Sequence, residues 1–151
     1  MKEFNSIEEI LEFAMEEEQK AVDFYTGLAG SSKTEDMQKI FIEFAKEEMG
    51  HKARLKTILE EGQFSVEQEN ITDLHISDFL VSIEPTPNMT YEEALVVAMK
   101  KEKSAFRLYT ALMERAQNPE LKNIFHSLAQ EEAKHKLRFE VEYDEYVLKD
   151  N

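Results

Sequence analysis

Apolar side chains recur every three to four positions along most of the chain, the spacing that lays one apolar stripe along a helix. Ile7, Ile10, Leu11, Ala14, Ala21, Phe24, Tyr25 and Leu28 form the first stripe, so residues 6–30 read as a helix. Ser6 and Glu9 stand at capping-box spacing, where each side chain satisfies a backbone N–H, and Gly30-Ser31 can end the helix. A second helix, about 33–61, carries Ile40, Phe41, Phe44, Ala45, Leu55, Ile58 and Leu59, with Ser32 and Glu35 at the same capping spacing and Gly62 as its stop. The pattern then breaks. Residues 62–89 hold Pro85, Pro87 and Asn88 and no long amphipathic stretch, yet carry too many large apolar residues to stay solvated. They read as a crossover connection with a short helix around Asp73–Ser82, anchored by Leu74, Phe79, Leu80 and Ile83. A third helix opens at Thr90, with Glu93 completing another capping box, and runs to about Gln117. Asn118-Pro119 marks a turn, with Asn118 as cap and Pro119 at the first helical position, and a fourth helix continues to about Leu148. The chain therefore reads as an all-α four-helix bundle in a single domain, 1–151, with one long connection between the second and third helices.

The two halves, about 6–61 and 90–146, align without a gap at a constant offset of 84 residues. Ala14-Met15 matches Ala98-Met99, Glu18 matches Glu102, and Tyr25-Thr26 matches Tyr109-Thr110. In the second helix of each half, Ile40-Phe41 matches Ile124-Phe125, Glu47-Glu48 matches Glu131-Glu132, His51-Lys52 matches His135-Lys136, and Arg54 matches Arg138. The chain is two copies of one helix hairpin, most simply related by a pseudo-twofold axis.

Chemistry concentrates at one register of that repeat. Glu48-Met49-Gly50-His51 and Glu132-Ala133-Lys134-His135 each place Glu and His three apart, about one turn along a single helix face. One such pair is weak evidence in a Glu-rich chain. Both pairs, however, fall at equivalent positions together with Glu18 and Glu102. Glu18 shares its face with Ala14, Ala21 and Tyr25, and Glu102 with Ala98, Ala105 and Tyr109. Glu48 and His51 lie on the stripe of Phe41, Phe44, Ala45 and Leu55; Glu132 and His135 lie on that of Phe125, Leu128 and Phe139. Four carboxylates in one core repel strongly unless cations neutralise them, and two divalent ions supply that charge. His75, in the crossover, and His126, which matches Ile42, have no symmetric partner and read as ordinary residues. Tyr25 and Tyr109 lie two turns beyond Glu18 and Glu102 on the same face, so each buried hydroxyl is expected to donate to a ligand carboxylate across the core.

Charge and cysteine content narrow the chemistry further. Acidic residues number 32 against 18 basic ones, a net charge of -14 that repels phosphate backbones and anionic lipid heads. Nucleic-acid and membrane-surface binding are therefore not expected. No apolar run approaches the roughly 18 residues of a membrane span, and Met1–Ser6 lacks a secretory pattern, so the expected location is cytoplasmic. Cys is absent, which leaves only oxygen and imidazole ligands for a metal.

These residues resemble the rubrerythrin-like branch of the ferritin-like di-iron proteins over nearly the whole chain. The likeness rests on Ala14-Met15-x-x-Glu18 followed by Phe24-Tyr25, Glu48-x-x-His51, Ala98-Met99-x-x-Glu102 with Tyr109, and Glu132-x-x-His135. It extends through Asp78-Phe79-Leu80, Glu84-Pro85 and Tyr91-Glu92-Glu93-Ala94. The resemblance implies a ferritin-like antiparallel four-helix bundle holding two iron ions, with manganese or zinc as alternatives. Glu48 and Glu132 would bridge them, with Glu18 and His51 on one ion and Glu102 and His135 on the other. It also implies crossed carboxylate partners for the imidazoles, Glu47 with His135 and Glu131 with His51, so that Glu131→Ala would weaken metal binding by roughly 10–100-fold. The implied activity is an oxidoreductase of the peroxidase or ferroxidase kind, taking peroxide, dioxygen or ferrous iron; the alternative is non-catalytic metal binding or storage. Rubrerythrins proper carry a Cys-ligated rubredoxin domain and an extra Glu one turn after the third-helix ligand, where this chain has Ala105. The expected partners are thus a separate electron donor such as a rubredoxin, and a second copy in a homodimer.

Overall fold

The structure is a computed structural model that describes residues 6–61, 79 and 89–148. Four helices make it up: α1 (Ile7–Gly30), α2 (Glu35–Glu61), α3 (Tyr91–Arg115) and α4 (Pro119–Tyr143), the last continued by a wider π-helical turn, Asp144–Leu148. No strand occurs among the described residues. The short helix expected near 73–82, and His75 with it, lie outside the described residues; Phe79 is described, buried against the core, its carbonyl accepting from Ser104 Oγ.

Local chemistry fixes most helix ends. Ser6 Oγ accepts the Glu9 N–H, and Thr90 and Glu93 form a reciprocal capping box. Asn118 Oδ1 accepts from Glu120 N–H, with Pro119 supplying a preset helical φ. Two expectations need correction. The cap of α2 is Thr34, whose Oγ1 accepts the Met37 N–H at 3.1 Å, and not Ser32. Ser32 instead donates to the Leu28 carbonyl at 2.8 Å, beside Ser31, because the last carbonyls of α1 need donors. α3 stops at Arg115, two residues early: Ala116 turns extended at ψ 135, ahead of the Asn118-Pro119 turn.

Within each hairpin, α1 with α2 and α3 with α4, the helices lie in close contact along their length. Between the hairpins few backbone positions approach closely, and side chains do the bridging. Ile10, Leu11, Leu55, Leu112, Phe125 and Leu128 fill one end of the bundle. Tyr25, Met37, Phe41, Leu95 and Phe139 fill the other. Each such large side chain contributes about 1.5–3 kcal/mol on burial, enough to hold a polar layer between the two apolar ends.

Candidate metal centre

That layer contains Glu18 from α1, Glu48 and His51 from α2, Glu102 from α3, and Glu132 and His135 from α4. None is more than 3% exposed. The three-residue spacing in α2 and α4 stacks each His one turn above its Glu, so both point to the same seam. Both imidazoles turn Nδ1 inward. His51 Nδ1 lies 3.1 Å from Glu132, 3.6 Å from Glu18 and 3.6 Å from Glu48. His135 Nδ1 lies 3.0 Å from Glu48, 3.6 Å from Glu102 and 3.8 Å from Glu132. The donor atoms fall into two sets, Glu18–Glu48–His51–Glu132 and Glu48–Glu102–Glu132–His135, each with its atoms within 4.8 Å of one another. Glu48 and Glu132 belong to both sets.

Such a layer is electrostatically costly by itself. Burial, and then the charges of Glu132, Glu102 and Glu18, push Glu48 well above the usual carboxylate range. Burial followed by Glu102 and Glu18 does the same to Glu132. Burial also opposes ionisation of Glu18, but hydrogen bonds with Glu48 and His51 outweigh it and bring that group down. His51 is raised because Glu18 overcomes its burial, and His135 is raised to about 10 because Glu102 and Glu48 overcome its burial. The cluster therefore holds protons where cations would bind. The hydrogen-bond inventory agrees. Among the described residues eight buried side-chain nitrogen and oxygen atoms have no hydrogen-bond partner, and seven of them belong to these six side chains. Buried polar atoms are normally paired; His51 Nε2 faces outward to Glu131, and the other six orphans, one from each side chain, converge on one seam and fit a metal site of mixed carboxylate and imidazole donors.

The surrounding contacts orient the donors. Tyr109 Oη donates to Glu18 Oε1 at 2.5 Å, and Tyr25 Oη donates to Glu102, each across the seam between α1 and α3. Burial, together with the facing carboxylates, pushes both phenols well above their ordinary range, so they stay protonated donors. Behind the imidazoles, Glu47 Oε2 sits 2.5 Å from His135 Nε2. Glu131 Oε2 sits 3.4 Å from His51 Nε2, outside hydrogen-bond geometry, and 2.5 Å from Arg54 Nη2. The crossed arrangement is thus present but unequal, because Arg54 competes for Glu131. Its repeat equivalent, Arg138, rests on Met37 Sδ instead. Neither Arg54, marked in the sequence only by its match with Arg138, nor Phe44, marked only as part of the α2 stripe, stands out there as a neighbour of the imidazoles; the Phe44 ring stacks on His135 at 3.9 Å. His126 is exposed and apart from the site.

A cavity of about 30 Å³ lies against Glu18, Glu48, Glu102 and Glu132, walled by Ala21 and Ala105 and reaching the partly exposed Glu17 and Lys101. By the room a water needs, it admits only about two water-sized molecules. Among the described residues no helix is long and apolar enough to cross a membrane.

The family model described as Rubrerythrin matches residues 9–87 and 93–151. Two solved structures share the fold. One, a hypothetical protein from Pyrococcus furiosus, is 27% identical with a TM-score of 0.75, over 92% of this chain and 89% of that one. The other, from Thermotoga maritima, is described as a ferritin-like diiron-carboxylate protein; it is 18% identical with a TM-score of 0.73, over 92% of this chain and 95% of that one. No functionally curated protein matches the chain.

Proposed function

Since this chain belongs to the rubrerythrin family, we propose that its buried cluster is a di-iron centre that reduces peroxide or dioxygen, or oxidises ferrous iron. The observation that carries the reading is the convergence of six unpaired buried donor atoms, one from each side chain, on one seam. Glu48 and Glu132, common to both donor sets, would bridge the ions; Glu18 with His51 and Glu102 with His135 would terminate them. Four carboxylates balance two divalent cations, which removes the repulsion that now raises Glu48 and Glu132. A ferrous pair supplies the electrons that a small oxidant takes up. The protein's share is to hold the donors, keep Tyr25 and Tyr109 on the terminal carboxylates, and admit only small molecules past Ala21 and Ala105.

The chain has no Cys and so no thiolate-ligated relay of its own; turnover calls for a separate donor such as a rubredoxin. A homodimer fits the exposure of Ile42 and Met49 on α2 and of Leu137 and Val141 on α4, and light scattering tests it. Ala105, where rubrerythrins proper carry an additional Glu, favours a second reading, non-catalytic iron binding or storage.

Anaerobic reconstitution with ferrous iron, elemental analysis, and oxidation by peroxide and by oxygen test the proposal. Two irons per chain and oxidation by either oxidant are expected. Absence of stoichiometric metal would overturn the site, and bound iron inert to both oxidants would leave storage.

A further inference from the structure

The repeat is broken in a directed way at one end of the bundle. Tyr25, which donates to Glu102, packs on Phe139 with ring centroids 5.4 Å apart and on Phe41 at 6.5 Å. Phe41 meets Tyr91 edge-on at 6.3 Å, and Tyr91 meets Tyr146 edge-on at 4.8 Å. Tyr146, in the π-helical turn, is partly exposed. An unbroken series of rings therefore runs from a ligand carboxylate to the surface. Tyr91 is buried and donates to Glu142 Oε2 at 3.0 Å, and that carboxyl is only 8% exposed.

Packing does not require this series. The repeat equivalents of Tyr91, Phe139 and Glu142 are Ile7, Leu55 and Ile58, all buried in the opposite end, and the equivalent of Tyr146 is Gly62. Aliphatic side chains fill the same positions of the same hairpin. What the aromatic end adds is oxidisable phenol. A phenol that loses an electron becomes strongly acidic and needs a base within hydrogen-bond reach; Tyr91 has one in Glu142, itself a costly group to bury.

We propose that Tyr91, with Glu142 as its proton acceptor and Tyr146 as its surface terminus, is a one-electron relay between the metal centre and reductants at the α4 end. The proposal rests on the di-iron reading for its oxidant. Peroxide is the oxidant: of the two electrons it takes, the metal pair supplies one and Tyr91 the other, which passes inward through the Phe41, Phe139 and Tyr25 rings while its phenolic proton goes to Glu142. A neutral tyrosyl results. A one-electron reductant at Tyr146, ascorbate in the simplest case, restores the electron, and the proton returns from Glu142.

Two measurements test the relay. Iron-loaded protein is treated with peroxide and a nitroso spin trap, and adducts are mapped by mass spectrometry. Wild type is expected to trap at Tyr146, and Tyr91→Phe to lose that adduct; trapping at Tyr143, which lies outside the series, reports solution oxidation. Glu142→Gln, which keeps the ring and removes the base, is expected to show the same loss, and circular dichroism checks that both variants fold. Undiminished trapping at Tyr146 in either folded variant overturns the relay. In metal-free protein, a flash of ruthenium trisbipyridine with persulfate oxidises the surface tyrosines, and a later tyrosyl phase that Tyr91→Phe removes is expected. Its absence from wild type overturns the relay irrespective of iron, whereas failure to bind iron overturns only the di-iron reading.

Discussion

Removing Glu47 isolates the contribution of the contacts behind the metal ligands. Its carboxylate lies 2.5 Å from His135 Nε2, while Nδ1 of the same ring faces Glu48 and Glu102. In Glu47→Ala the ring loses the partner that fixes its tautomer and angle, and its Nδ1 becomes a weaker, less directed donor. Loss of such a partner typically costs about 10–100-fold in metal affinity, which at ~1.4 kcal/mol per decade is ~1.4–2.8 kcal/mol. Glu47 is 40% exposed, so its charge alone is largely screened and most of the effect must come through the hydrogen bond. Only one of the two ions uses His135, so a chelator-competition titration with ferrous or cobaltous ion should resolve one weakened and one near-normal site. Glu47→Gln, which keeps an acceptor oxygen, should recover much of the loss. Glu131→Ala should fall at or below the lower end of the range, because Glu131 is 3.4 Å from His51 and already engaged by Arg54. Equal affinity of both sites in Glu47→Ala, with helicity intact, would refute the reasoning.

Glu48→Ala should cost more metal affinity than Glu18→Ala, since Glu48 belongs to both donor sets and Glu18 to one; stoichiometry after dialysis decides. Tyr109→Phe leaves Glu18 Oε1 without its buried donor and should destabilise the protein by ~1–3 kcal/mol, read by urea unfolding. Metal-free protein should lose stability as pH rises. Glu48, Glu132, His51 and His135 all have raised folded values, so the folded state binds protons that the unfolded state releases, from the carboxylate range through about 10 for His135. Glu18 and Glu131, which are lowered, oppose this. Metal affinity should rise with pH because binding expels those protons. Thermal melts with and without metal check both signs, and a metal-free midpoint that climbs through neutral pH contradicts them.

The four helices were legible because their apolar positions keep helical period for six or more turns, and the six central residues because the repeat displays them twice. Helix ends were less so. Ser32 and Thr34 are both good caps, and only the demand of the Leu28 carbonyl for a donor decides between them. The inequality of Glu47 and Glu131 was not legible, since Arg54 and Arg138 look alike in sequence and differ only in which neighbour they reach. The buried pair Tyr91–Glu142 joins residues 51 apart on different helices. No local pattern announces such a pair, although the loss of repeat symmetry at both positions was a usable signal.

Because each hairpin is closely packed within itself while side chains bridge the gap between hairpins, the carboxylate layer sits on the weakest plane of the molecule. Half of the donors belong to each side of that plane. Ions bound there would act as a latch, tightening a docking that the two apolar ends of the bundle already provide, and their removal would loosen the seam first. Amide exchange after iron removal should accordingly quicken first for protons facing the seam near Glu48 and Glu132, with the helix interiors nearly unchanged.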